Sequence, residues 1–316
     1  MKNIFTTFLF IALCLPLFSQ QEDQFTQFMY YKMGFNPAYA GSQDGACITL
    51  MDRHQWVGID GAPESQLITF NMPLFNKRVG LGASVLRHSI GITEKYTAEI
   101  VYAYRIPIGR GTLSMGLQGS VRLLRNDFSM VESTQPQELD EAIPGGTQSK
   151  YVPNFGAGIY YSSRNFYVGF SSPRILENNI DFADLDAVIS REVLHLYAMA
   201  GVLFDLGDKV ALQPQMLMKY VKGVPFDADV NLNFIYDNKI TAGVSYRLGG
   251  SQENSIGESL SLLVGGQIGN SFFIGGSYDY TLSELRDYND GTFELVLRYC
   301  IGGQSEGEEY INPRFF

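Results

Sequence analysis

Beyond its first twenty residues the chain has no apolar run long enough for a membrane-crossing helix, which needs roughly 20 consecutive apolar residues. Cysteine is scarce. Cys14, Cys47 and Cys300 are too few for a disulfide-dense scaffold or a four-thiolate zinc site. Histidine is no commoner: His54, His88 and His195 stand far apart, and neither a His-Glu-x-x-His pattern nor a phosphate-binding loop occurs. No enzymatic activity, cofactor or metal is expected. Asp52 and His54 would share a strand face but have no evident nucleophile beside them, and His88 and Ser89, being adjacent, would point to opposite faces. Positive charge is in deficit, with 23 Lys and Arg against 33 Asp and Glu, a net of −10. That excludes a nucleic-acid partner, whose binding depends on clustered cations.

The first residues read as an export signal. Lys2 is followed by an almost wholly apolar stretch from Ile4 to Phe18, and Ser19 is a small residue at a cleavage position. Cys14 is preceded by Leu13, unlike a lipid-attachment signal, and would leave with residues 1–19.

What the chain does have is glycine and aromatics, 33 Gly, 19 Tyr and 22 Phe beside one Trp, arranged in alternating segments. Tyr96, Ala98, Ile100, Tyr102 and Tyr104 share one face of an extended strand, opposed by Lys95, Thr97, Glu99 and Arg105. Residues 112–122, 227–236, 240–248 and 292–299 repeat the pattern. One face of each strand is apolar and the other is polar, Gly-rich and charged. This suits a barrel in lipid, apolar outside and polar within; a large soluble β-sandwich is the alternative.

Fourteen segments pass, near 45–55, 64–73, 78–88, 94–107, 111–123, 153–162, 165–171, 193–206, 209–220, 226–236, 239–248, 259–268, 271–280 and 292–300. The fold class expected is all-β: a closed antiparallel transmembrane β-barrel of about 14 strands with short periplasmic turns and longer extracellular loops. The connections near 74–77, 108–110, 163–164, 207–208, 237–238 and 269–270 are tight. Those near 56–63, 89–93, 124–152, 172–192, 221–225, 249–258 and 281–291 are mostly longer. Pro214 inside a strand calls for a bulge, and the strand at 165–171 is short for a span. The chain thus divides into a signal peptide (1–19), an N-terminal periplasmic or plug segment (20–44), an outer-membrane barrel (45–300) and a C-terminal periplasmic tail (301–316).

On this alternation Glu99, Arg105, Arg122, Asp227, Asp229, Arg247, Asp279, Glu294 and Arg298 face the lumen. Their mixed signs suggest an internal salt-bridge lattice more than an ion-selective pore. Asn36-Pro37-Ala38-Tyr39 is read as a proline-fixed turn leading into the barrel, with a plug of the lumen or a periplasmic contact by residues 20–44 as the alternative. Arg53, Gln55 and Trp56 lead into the first outer loop, which Gly61-Ala62-Pro63 closes; Trp56 belongs to an interfacial girdle or holds that loop over the lumen. Acidic stretches at Glu138, Asp140 and Glu141, and at Asp181, Asp184 and Asp186, lack the ligand spacing of a calcium loop. Cys47 and Cys300 fall on the first and last strands, at the same rim and on the lumen face, so a seam disulfide is possible in an oxidising compartment. Its demanding geometry weighs toward two free thiols.

Gln24-Phe25-Thr26-Gln27-Phe28-Met29, then Asn36-Pro37-Ala38-Tyr39-Ala40-Gly41, then Arg53, Gln55, Trp56, Gly58 and Gly61-Ala62-Pro63 resemble in order and spacing the PorP/SprF family of type IX secretion system outer-membrane proteins. The likeness continues through 212–220, 227–231, 243–247 and Gly275-Gly276-Ser277-Tyr278-Asp279-Tyr280. The chain departs from the family where Phe293 precedes Glu294 in place of a common His. The resemblance implies an outer-membrane component that supports secretion or surface attachment of partner proteins, including a large adhesin, often a gliding adhesin, with a C-terminal sorting domain. It also implies contact with type IX components and with periplasmic, peptidoglycan-linked proteins. A passive porin or small-solute channel is the other reading, since the barrel architecture alone serves many functions.

Overall fold

The computed structural model describes residues 22–130, 146–182, 190–222, 224, 226–249 and 257–301. Within them the alternating segments form strands β1 (Ala46–His54), β2 (Glu64–Leu74), β3 (Val79–Ile90), β4 (Thr93–Ile108) and β5 (Gly111–Asp127). Next come β6 (Thr147–Ser163), β7 (Phe166–Ser172), β8 (His195–Val202), β9 (Phe204–Asp205) and β10 (Val210–Val221). The chain continues through β11 (Asp227–Tyr236), β12 (Ile240–Leu248), β13 (Ser259–Ile268), β14 (Phe272–Thr281) and β15 (Thr292–Ile301). β8 and β9 lie end to end along β10 as one stave, giving a 14-strand antiparallel sheet. β1 pairs with β15 from Ala46–Ile301 to His54–Phe293, which closes the barrel and leaves no free edge at the seam.

Side-chain alternation shows which solvent each face meets. On β4, Ile100 is 74% exposed while its neighbour Val101 is fully buried. Outward residues such as Ile68, Phe70, Leu117, Phe155, Leu262 and Leu295 form an apolar mantle, and the buried core lies inside the barrel. Among the described residues no helix is long and apolar enough to cross a membrane.

The tight hairpins obey backbone chemistry. Asp237 and Asn238 both take positive φ, 52° and 53°, as a two-residue primed turn between right-twisted strands requires. Asn and Asp tolerate that region better than other side chains. On the opposite side β5 runs to Asp127 and β6 starts at Thr147, so the loop expected over 124–152 gives up several residues at each end to longer strands.

One local expectation is corrected and a second holds. Pro214 needs no bulge: its pairing with β11 runs unbroken from Val210–Tyr236 to Lys219–Asp227. On the other side the ladder lapses near Leu203 but resumes in the same register, Gln215 opposite Gly201 and Leu212 opposite Phe204. A missing N–H is thus met by a gap in one ladder, with no residue inserted. β7 does stop early, at Ser172, because Pro173 packs against the backbone of Gly156. The chain rejoins β6 irregularly, with Ile175 N donating to Phe155 O at 2.8 Å.

Candidate functional site: the plugged lumen

Fourteen strands enclose a lumen too wide for wall side chains alone to fill. Residues 22–44 fill it. The segment is coiled, with a 3-10 turn at Phe28–Tyr30, one helical turn at Lys32–Phe35 and a second 3-10 turn at Pro37–Tyr39. Phe25, Phe28, Tyr31, Phe35 and Tyr39 are all buried, each gaining about 1.5–3 kcal/mol from leaving water. They pack against inward residues of the wall, including Met51, Leu86, Val101, Tyr160, Tyr167, Tyr197 and Leu217.

The wall is shaped to admit this segment. A Cβ at Gly116 would lie 2.2 Å from Ala38 N, and one at Gly80 would lie 2.0 Å from Ala40 O. Gly158 and Gly169 make the same room for Asn36. Asn36 itself is fully buried; its side chain caps Ala38 N at 2.9 Å and donates to Ile159 O at 2.9 Å. The Asn36-Pro37-Ala38 motif is therefore an element docked inside the barrel, which corrects its reading as a lead-in turn. Proline fixes the turn as expected, but the turn presents Asn36 to β6.

Charged side chains from the wall hold both ends of the plug. Glu294 accepts Thr26 N at 2.9 Å and Gln27 N at 2.8 Å, while Asp279 accepts the Thr26 hydroxyl at 2.6 Å. Arg53 ties these carboxylates together, at 2.9 Å from Glu294 and 3.0 Å from Asp279. Nearer the periplasm, Arg105 donates to Gly41 O and Asn71 accepts Gly41 N at 2.6 Å.

A second network surrounds Glu22, which pairs with Arg122 at 2.9 Å and Arg174 at 2.8 Å. Arg122 also meets Glu192 at 2.5 Å, and Arg174 meets Glu99 at 3.0 Å. Burial opposes ionisation of Glu22, but Arg122 and Arg174, with Lys95 and His195 behind them, hold its carboxyl well below the usual range. Across the lumen, Asp229 pairs with Arg247 at 2.6 Å and with Lys219 at 3.1 Å; Asp227 pairs with Lys219 at 3.1 Å and takes the Gln24 amide at 3.0 Å. All nine lumen charges named from the sequence face inward. Eight of them bond the plug, another wall charge or a loop, and among the described residues Arg298 meets only the rings of Tyr30 and Phe273. Glu22, Asp23, Glu192 and Arg174 were not singled out, because no alternation marks residues outside strands.

The first outer loop is braced on both sides. Gln55 N donates to Pro63 O at 2.9 Å, Trp56 N to the Thr292 hydroxyl at 3.1 Å, and Gly91 N to Gly61 O at 2.9 Å. Ala62 N closes a turn onto Ile59 O at 3.2 Å. Trp56 is half-buried with a positive φ of 51°. Cys47 and Cys300 lie directly opposite in the seam and are joined as a disulfide, against the weighting toward free thiols. Strand closure itself supplies the close approach that spacing alone leaves open.

His54 and Asp52 meet at 2.9 Å on the outward face, away from the lumen. Inside, His88 comes within 2.8 Å of Ser65 Oγ and 3.2 Å of Asp23, a grouping the sequence does not reveal. Serine and carboxylate both address Nδ1, whereas a Ser-His-Asp relay needs one on each ring nitrogen. A Gly-x-Ser-x-Gly stretch at 303–307 lies outside the described residues, as do Glu138, Asp140, Glu141, Asp184 and Asp186. No group of three potential metal ligands occurs among the described residues.

A closed antiparallel barrel with an apolar mantle and a polar, internally plugged lumen is an outer-membrane β-barrel. The family model "Type IX secretion system membrane protein PorP/SprF" matches residues 17–299, and the chain belongs to that family. It is accordingly an outer-membrane component of type IX secretion. No curated protein matches. Among solved structures, the CymD monoaromatic hydrocarbon channel superposes with a TM-score of 0.52 at 10% identity, covering 89% of this chain and 94% of that one. The Ralstonia pickettii toluene transporter TbuX gives 0.50 at 11% identity, covering 86% and 92%. At such identities the likeness is one of fold.

Proposed function

We propose that this protein is a plugged outer-membrane scaffold that supports secretion or surface attachment of an exported partner, such as a large adhesin carrying a C-terminal sorting domain. The observation that carries this reading is the docked plug. Residues 25–42 occupy the lumen with their backbone and side chains bonded to the wall, which suits a rigid platform better than a solute path. Its interaction surfaces are the braced outer loop at Gln55–Pro63 for the partner and the periplasmic rim for other secretion components, including peptidoglycan-linked proteins. Outer-membrane lipid contacts the apolar mantle.

The second reading, a passive porin or small-solute channel, draws support from the barrel fold alone. An affinity pull-down of tagged protein, gently solubilised from its native membrane, tests the first. Recovery of a large exported protein with type IX components supports the scaffold. Recovery of the barrel alone, conducting ions in a planar bilayer, supports the channel and ends the scaffold reading.

A further inference from the structure

At the periplasmic mouth, between the plug and the wall formed by β10–β15, lies a narrow crevice. A chain end fits such a slot and a folded element does not. Tyr30 from the plug and Phe273 from β14 form one side, with ring centroids 4.7 Å apart. The Arg298 guanidinium lies over both rings, at 5.2 Å and 5.5 Å.

Arg298 is 6% exposed and makes no ion pair or hydrogen bond among the described residues. The other lumen guanidinium groups, at Arg53, Arg122, Arg174 and Arg247, each hold a carboxylate, and Arg105 holds a backbone carbonyl. Among the described residues no carboxylate lines the crevice, and its other cation, Lys239, is paired with Asp237 at 2.8 Å. The crevice therefore offers a planar cationic fork that no anion occupies among the described residues. A planar carboxylate at a chain end meets such a fork by bidentate acceptance.

We propose that this crevice binds the terminal carboxylate of an extended peptide reaching it from the periplasm. The inference goes beyond the scaffold reading, and its test uses the isolated barrel, so the two can fail separately. The full-length protein in detergent micelles is titrated by ligand-observed NMR with acetyl-tetraglycine, with the same peptide amidated, and with sodium acetate. The expected result is that the free acid binds at least tenfold tighter than either control. Arg298→Gln abolishes that preference, whereas Arg286→Gln, in an exposed outer loop, leaves it intact. Should Arg298→Gln fail to give a barrel with native heat-modifiable mobility, Gln267→Leu at the crevice is expected to weaken the acid at least threefold. Equal binding of acid and amide, acetate binding as tightly as the acid, no binding by any probe, or an intact preference in Arg298→Gln would each overturn the proposal.

Discussion

Replacing Glu294 by alanine removes the acceptor of two buried backbone N–H groups, those of Thr26 and Gln27. Leaving a buried donor without an acceptor costs about 1–3 kcal/mol, so the pair costs about 2–6 kcal/mol. Arg53 keeps Asp279 at 3.0 Å, so the larger penalty of a stranded buried charge does not arise. Since about 1.4 kcal/mol is tenfold in an equilibrium constant, plug release should become roughly 30- to 20,000-fold more frequent. A cysteine placed at Met33, 3% exposed, reports that release through its rate of alkylation in folded barrels. The comparison is between Met33→Cys alone and Met33→Cys with Glu294→Ala, so the effect of the probe cancels. Heat-modifiable gel mobility shows that both fold, and planar-bilayer recordings of the second should show openings absent from the first. If alkylation accelerates less than threefold in a properly folded double variant, the carboxylate of Glu294 is no latch, and burial of the aromatic rings alone holds the plug.

Gly116→Val should unseat the plug through its clash with Ala38, raising alkylation of the same probe, while Gly119→Val, whose Cβ would meet nothing within 4 Å, should leave it unchanged. Replacing Cys47 and Cys300 by serine opens the seam cross-link and should lower unfolding stability by about 2–4 kcal/mol, read as a lower midpoint in heat-modifiability gels. Burial first, and repulsion from Arg298 second, push Lys32 down from 10.5 to about 7. The released plug keeps that proton to about pH 10.5 and the docked plug sheds it near 7, so docking should strengthen as pH rises from 7 toward 10. Protease protection of the plug, corrected for protease activity, should rise over that window and lose the dependence in Lys32→Met.

The wall was legible because a strand in lipid writes its period directly into the sequence. Ile100 beside Val101 shows its limit, since the alternation is in direction and not in polarity alone: both are apolar, and one faces lipid while the other faces the plug. Strand ends were less legible, as at β6, where 147–152 carry turn-like and polar residues that still pair with β5. The plug left no period because its residues contact the wall all round. Its signal lay instead in the wall, in inward glycines such as Gly80, Gly116 and Gly158 that leave space another element must fill. The partners of the lumen charges were illegible for the same reason. Glu22 and Arg174 lie outside strands, and 152 residues separate them in sequence. The seam disulfide depended on register, which spacing does not supply.

The plug precedes every described strand, and one of its fastenings belongs to the last of them: Thr26 and Glu294 are 268 residues apart. Contacts of such separation form late, because the intervening chain must first be ordered. The seam pairs β1 with that same last strand. Docking of β15 therefore completes the wall, brings Cys300 to Cys47 and delivers the carboxylate that grips the plug. A chain halted before β15 would leave the Thr26 and Gln27 N–H groups without their carboxylate and the sheet with two open edges, which makes arrival of that strand the natural checkpoint for assembly.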